Sequence, residues 1–343
     1  MKKHANIPIF IPHVGCPNTC VFCNQRTISG VMDFKLSDVE KQIDESLATL
    51  SDDCEAQIAF FGGSFTGIDR SLMIDLLEIA NSYIKSGKVS SIRCSTRPDY
   101  INEEILVLLK KYGVSDIELG LQSICDDVLT CTKRNHTSNH SEQACRLIVS
   151  YGFNLVGQMM IGLPQSSLKK ELETAGFIIS AGAKAARIYP TLVLKGTELE
   201  DMARTGIYIP ISLDEAVARS AAVFRLFIEN GVDVIRIGLC ASENLSSDET
   251  YFAGPNHPAL GELVLNRYFF DKIVNTIPDN IPQNSILQVN VCPKSLSRAI
   301  GQNKINKAQL MKLFNFEDIR FVSDQTLDEY GISIKTIGGR KCI

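Results

Sequence analysis

The chain has 343 residues, 45% hydrophobic and 22% charged. That balance excludes a disordered or coiled-coil chain and supplies a sizeable core. A prior of roughly 150 residues per domain predicts one large domain and a small one. The net charge of −4 excludes a polycation that grips nucleic acid by bulk charge, so any such contact needs a local basic patch. Eleven cysteines in a chain of this size point to reduced thiols, metal ligation or catalysis rather than a disulfide scaffold. The apolar run Ile7 to Val14, just ahead of Cys16, is broken by Pro8 and Pro12 and is too short for a secretory signal. No stretch nears the ~18 apolar residues of a membrane span. A cytoplasmic protein is expected.

Short apolar runs alternate with longer helical patterns, as in repeated βα units. Strands are predicted at Ile7–Ile11, Gln57–Phe61, Ser91–Ser95, Asp116–Leu121, Leu155–Ile161 and Ala186–Thr191. Helices are predicted to begin near Ser37, Arg70, Asn102, Ser138 and Ser167, with capping boxes at Ser37-x-x-Glu40 and Ser212-x-x-Glu215. A further helix, Asp214 to Asn230, leads to an apolar run at Val232–Leu239. Strand–helix alternation implies a parallel sheet with helices outside. Six units fall short of the eight of a closed barrel, so the expected fold is α/β, a partial (β/α)6 barrel with its site at the C-terminal strand ends. Ser, Asn, Gly and Pro cluster after Ser242. The expected domains are therefore residues 1–242, the barrel, and 243–343, a small α+β module.

The strand ends carry the informative residues. The first runs into Cys16, Cys20 and Cys23, and the second into Gly62-Gly63-Ser64. The third ends at Ser95-Thr96-Arg97-Pro98-Asp99, the fourth at Gly120-Leu121-Gln122-Ser123, and the fifth at Ile161-Gly162-Leu163-Pro164. The sixth carries Arg187 and ends at Tyr189-Pro190-Thr191. Three thiolates within one short loop can converge on an iron–sulfur cubane, whose usual ligand is cysteine. A fourth local cysteine is missing, which leaves one iron open, as a catalytic cluster requires. Zinc is the alternative, but it needs a further Cys or His at short spacing, and His13 precedes the loop. The other cysteines show no paired spacing and read as core or surface thiols.

This cysteine pattern, with Phe22 before the last thiol, resembles the radical S-adenosylmethionine (radical SAM) superfamily over about Ile7 to Leu239. The resemblance implies a 4Fe–4S cluster whose open iron chelates SAM, and reductive cleavage of SAM to a 5′-deoxyadenosyl radical. It also implies a reducing partner of the flavodoxin or ferredoxin type. By the same resemblance, the Gly62-Gly63-Ser64 backbone meets the SAM amino group, where glycine permits close approach. Gln122 contacts ribose, Arg134 pairs with the SAM carboxylate, Gln158 occupies a ribose-binding position, and Ile161 and Gly162 border adenine. Ser95 stands where related sequences carry an acid, and its neutral hydroxyl makes a weaker contact with an ammonium group.

Two segments narrow the resemblance. Ser95-Thr96-Arg97-Pro98-Asp99-Tyr100 and Ile188-Tyr189-Pro190-Thr191-Leu192-Val193-Leu194-Lys195-Gly196-Thr197 are similar to the radical SAM domain of the Elongator catalytic subunit, which modifies wobble uridine in tRNA. The first cysteine spacing is shorter than in that family. The roughly 100 residues after Ser242 are too few for its acetyltransferase domain, so the acetyl-CoA-dependent half of the reaction is not carried over. No role is assigned to Arg97, Asp99, Tyr189 or Lys195.

In the tail, strand Ser285–Val291, helix Pro293 to Ile300, loop Gly301-Gln302-Asn303-Lys304, helix Ile305 to Phe314 and strand Ile319–Ser323 resemble the core of a KH RNA-binding domain. Lys304 replaces the second glycine of the phosphate-clamping loop. Lys294, Arg298, Gly301, Lys304 and Lys307 are the candidate RNA contacts, in a window without an acidic residue. A solvated helical hairpin is the alternative. The expected function is a radical SAM enzyme acting on RNA, with a tRNA base as the expected target. The alternatives are a coproporphyrinogen oxidase-like enzyme on a small metabolite, and an RNA-binding protein with a structural cluster.

Overall fold

The computed structural model describes residues 3–11, 16, 20–24, 34–51, 53–239, 250–278, 281 and 285–339. In chain order its strands are β1 (Lys3–Ile11), β2 (Cys54–Gly62), β3 (Ser91–Thr96), β4 (Val114–Gln122), β5 (Asn154–Ile161) and β6 (Ala185–Pro190). They are followed by β7 (Val193–Leu194), β8 (Asp233–Ile237), β9 (Tyr251–Ala253), β10 (Ser285–Val291), β11 (Asp318–Ser323) and β12 (Ile332–Gly339). Among the described residues, β1-β2-β3-β4-β5-β6-β8 form one seven-stranded sheet. All its pairings are parallel. The sheet curls into an open half-barrel. The expected α/β partial barrel is present, with one strand more than the six-unit count: the run at Val232–Leu239 supplies β8, beside β6.

Parallel strands covered on both faces read as near-continuous apolar runs. In β2, Ala56, Ile58, Ala59 and Phe60 are all buried. The helices supply the outer cover. In helix Arg70–Lys85, Met73, Leu76, Leu77 and Ala80 fall on one stripe and are buried. Met73, Leu76 and Leu77 each contribute roughly 1.5–3 kcal/mol by leaving water. Caps fix where the helices start, and so how long the site loops are. The Asp69 side chain accepts from Ser71 N and Leu72 N, Asn102 from Ile105 N, and Ser167 from Lys170 N.

The capping box expected at Ser37 is not formed. A 3₁₀ turn, Leu36–Asp38, precedes the α-helix Val39–Ala48, so Ser37 lies inside the turn and donates to Asp38 Oδ1 instead. A box that the sequence reading missed closes at Thr137, where the third helical residue is His140, an unusual partner.

The chain divides into two compact units: residues 1–213 with 226–256, and residues 214–225 with 257–343. The boundary expected at Ser242 lies outside the described residues. In the second unit β10 is central, parallel to β11 and antiparallel to β12. The predicted strand Ser285–Val291 and helix Ile305–Phe314 are found as drawn. Its core includes edge-to-face rings of Phe224, Tyr268 and Tyr330. No helix among the described residues is long and apolar enough to cross a membrane.

Candidate cofactor and substrate site

The strand ends meet as the βα pattern predicts. Gly62 closes β2 at φ 116, and a Cβ there would sit 2.4 Å from the Ile11 carbonyl oxygen. Gly63 N donates to that same oxygen at 3.2 Å. The glycine pair therefore presses against the end of β1, where the cysteine loop departs; only a residue without a side chain fits. Ser64 is buried, with Oγ 3.6 Å from Cys16 Sγ.

Cys20 is buried, and its carbonyl accepts from Cys23 N at 3.0 Å in a tight turn. Between them Val21 enters an apolar cluster with Val193, Leu199 and Tyr208, and Phe22 packs against the same cluster. Val21 N donates to Thr132 O and its carbonyl accepts from Leu199 N. The loop is thus tied to two later segments of the chain.

Two buried guanidinium groups approach Cys20. Arg134 Nη1 lies 3.4 Å and Arg97 Nη1 3.9 Å from its Sγ. Arg134 also donates through Nη2 to Gly120 O, and Arg97 donates to the Arg134 carbonyl. Arg97 forks onto Asp99 at 2.9 and 3.0 Å. Burial opposes the Arg97 charge, but Asp99 and the neighbouring thiols outweigh it and hold the proton more firmly. Sequence reasoning singled out Arg134 but gave Arg97 no role, because nothing local links residue 97 to residue 20. His136, also buried, has no hydrogen bond on either ring nitrogen among the described residues. Burial, aided by Arg134, pushes its pKa down to about 3, so the ring is neutral.

The structure brings Gln122 and Gln158 together: Gln158 Nε2 donates to Gln122 Oε1 at 3.4 Å. Gln122 sits at φ 67, where the β4–β5 register slips between Gly120 and Gln122. The backbone at Ile161 and Gly162 is engaged within the protein. Ile161 O accepts from Thr191 N and Oγ1, Gly162 N donates to Glu171 Oε1 at 2.8 Å, and Gly162 O accepts from Tyr208 Oη at 2.7 Å.

Ser95 pairs in register with Glu118 on β4. Glu118 is buried and forms an ion pair with Arg187 at 2.9 Å. Burial pushes its carboxyl pKa up, against the pull of Arg187, Arg93 and the Ser95 hydroxyl.

In the second unit, Gly301 has φ 80 and Lys304 φ 61, so the loop between the two helices turns sharply. Lys294 and Lys304 are exposed. The expected basic patch is thinner than its sequence window suggests. Lys307 pairs with Asp318 at 2.8 Å, and Arg298 lies 3.5 Å from Glu262 and 3.4 Å from Glu329. The acids come from outside the window, which a local count cannot see.

Every described cysteine is a free thiol. Among the described residues no three His, Cys, Asp or Glu side chains close around a single ion. A cubane instead takes one thiolate per iron, so its ligands stand farther apart than those of one tetrahedral ion. The donor set, three thiols in one loop with two cations at Cys20, fits such a cluster.

A half-barrel of parallel strands with a cysteine-bearing loop after its first strand defines a class of cluster-dependent enzymes. The model of the radical SAM superfamily matches residues 10–178, and that of the Radical_SAM C-terminal domain matches residues 183–268. The chain belongs to the radical SAM superfamily; it is a radical SAM enzyme, and its cofactors are a 4Fe–4S cluster and SAM. It is similar to Elongator complex protein 3 of Homo sapiens, 34% identical over 142 residues, covering 40% of this chain and 26% of that protein. It is 33% identical over 125 residues to the tRNA uridine(34) acetyltransferase of Methanocaldococcus infernus, covering 36% of this chain and 23% of that one. It thus spans about a quarter of the length of these curated relatives. The solved structure of M. infernus Elp3 superposes with a TM-score of 0.63 at 22% identity, over 79% of this chain and 64% of that one. This supports the fold.

Proposed function

We propose that this radical SAM enzyme acts on RNA, with a tRNA base as its target, in the reducing cytoplasm. The observation that carries the RNA reading is the likeness to the tRNA uridine(34) acetyltransferase. The acetyl-transfer half of that relative's activity is not part of the proposal.

In this reading Cys16, Cys20 and Cys23 ligate the cluster. Bound there, the cluster and SAM would supply radical chemistry that abstracts a hydrogen atom, given one electron from a flavodoxin- or ferredoxin-type donor. The chain's own residues bind, orient and exclude water. Arg97 and Arg134 compensate the charge of the thiolate at Cys20. Gly62, Gly63 and Ser64 would meet the SAM amino group through their backbone. Gln122 and Gln158, already in contact, offer amides to the ribose hydroxyls, and Phe22 anchors the loop. The second unit is the RNA-holding module, with a KH-like strand–helix–loop–helix–strand order and Lys294 and Lys304 as phosphate contacts.

The test is to reconstitute the protein with iron and sulfide without oxygen, reduce it with dithionite, and measure 5′-deoxyadenosine from SAM with and without total tRNA. Stimulation by tRNA is expected. Equal yields with tRNA, ribonuclease-treated tRNA and buffer would overturn the RNA reading and leave the radical chemistry standing.

A further inference from the structure

Partner charge is uneven around the cysteine loop. Cys16 faces a neutral hydroxyl, Ser64 Oγ, at 3.6 Å, whereas Cys20 is buried against two guanidinium groups. The two cations are held differently. Arg97 engages every nitrogen of its guanidinium. Its Nε and Nη2 fork onto Asp99 at 2.9 and 3.0 Å, Nη2 also donates to the Arg134 carbonyl, and Nη1 lies 3.9 Å from Cys20 Sγ. Arg134 keeps a donor in reserve: its buried Nε has no hydrogen-bond partner among the described residues. Arg97 is therefore the fixed cation, clamped between its own turn after β3 and the backbone of the segment beyond β4.

The fork occupies the Nε–Nη2 edge of the guanidinium and leaves Nη1 for the sulfur, so the carboxylate stands on the side away from Cys20. The Asp99 side chain is 22% exposed and that of Arg97 only 4%. Water screens the carboxylate more than the cation, and the sulfur feels a net positive field. The potential of an iron–sulfur cluster depends on its net charge, on hydrogen bonds to its sulfurs and on exposure to solvent. A reduced cluster bears one more negative charge than an oxidised one, so a fixed cation at a ligand sulfur stabilises the reduced form more. Resting on the reading above that Cys20 ligates the cluster, we propose that Arg97 is a positioning residue that holds a guanidinium charge against the Cys20 sulfur and so raises the reduction potential of the cluster. Asp99 aims that charge. The raised potential lets a one-electron donor of the flavodoxin or ferredoxin type reduce the cluster and be oxidised in turn.

The experiment is a mediated redox titration of the anaerobically reconstituted protein without SAM, followed by the electron paramagnetic resonance of the reduced cluster. Arg97→Gln should shift the one-electron equilibrium about tenfold toward the oxidised form, a fall of about 59 mV. Arg97→Lys, which keeps the charge without the fork, should lie between that variant and the wild type. The sign separates this role from a structural one. A loosened loop would open the cluster to water, which stabilises the more highly charged reduced form and raises the potential. Should Arg97→Gln not load iron, the double variant Arg97→Gln, Asp99→Asn leaves no carboxylate unpaired and carries the same expected fall. An unchanged or raised potential in the loaded variant would overturn the proposal. If neither variant loads iron, Arg97 serves assembly rather than potential, and the proposal also falls. Cys20→Ala tests the reading beneath it: wild-type iron and absorbance in that variant would show that Cys20 is no ligand, and both would fall. Loss of the cluster in Cys20→Ala, beside an unchanged potential in Arg97→Gln, would defeat the proposal alone.

Discussion

His136 gives the residue scale its sharpest consequence. Its ring is buried, and burial together with the nearby Arg134 charge pushes its pKa down to about 3 from an ordinary 6.5. The unfolded chain therefore binds a proton that the folded chain refuses. The contribution to stability is fully present above about 6.5 and is lost as pH falls below that value, with no further loss once pH passes below the folded pKa. Between pH 7 and 5 the loss is about 2 kcal/mol. Urea unfolding of the apoprotein at the two pH values measures it, and His136→Gln should flatten the difference. An unchanged difference in the variant would place the pH dependence elsewhere. Only part of this scale was legible in the sequence. The cysteine triad stands out because its spacing is local. Arg97 at Cys20, and Glu118 with Arg187, do not, because pairings across separate strands leave no spacing to read.

At the scale of elements, the strand ends were legible because each is marked by a change from apolar residues to glycine and polar residues. The strand β8 was harder. Its run is short and its side chains are only partly buried, so it lacks the strong apolar signal of β2. The helix starting at Val39 shows a different limit, since a 3₁₀ turn moved the start past Ser37. The most demanding junction is β1 against β2. Gly62→Ala would put a methyl group 2.4 Å from the Ile11 carbonyl oxygen at a φ of 116. It should destabilise the barrel by about 2 kcal/mol or more. It should also lower iron content after reconstitution, because the cysteine loop departs from that point. Thermal melting with iron analysis checks both effects. A variant with wild-type melting and full iron content would show that this contact does not set the loop.

For the whole molecule, a net charge of −4 means that the proposed RNA contact has to rest on local features. Arg298 and Lys307 are already paired with acids from other segments, so the proposed RNA reading puts the load on Lys294 and Lys304. The double variant Lys294→Ala, Lys304→Ala should weaken tRNA binding and reduce the slope of log affinity against log salt by about 2. Titration at several salt concentrations tests this, and an unchanged slope would remove the second unit from the RNA-binding surface. Sequence reading found the strand–helix–loop–helix–strand order of this unit. It overstated the patch because charge balance depends on neighbours in space.

The account depends most on the three thiols of one loop holding a cluster that delivers an electron to SAM. The direct measurement is 5′-deoxyadenosine released from SAM by the anaerobically reconstituted, dithionite-reduced protein, beside Cys16→Ala, Cys20→Ala and Cys23→Ala variants prepared identically. The account predicts release by the wild-type protein and loss of both the cluster absorbance and the product in every variant. A wild-type protein that holds a full complement of iron yet leaves SAM intact, or a variant that still cleaves it, would contradict the account.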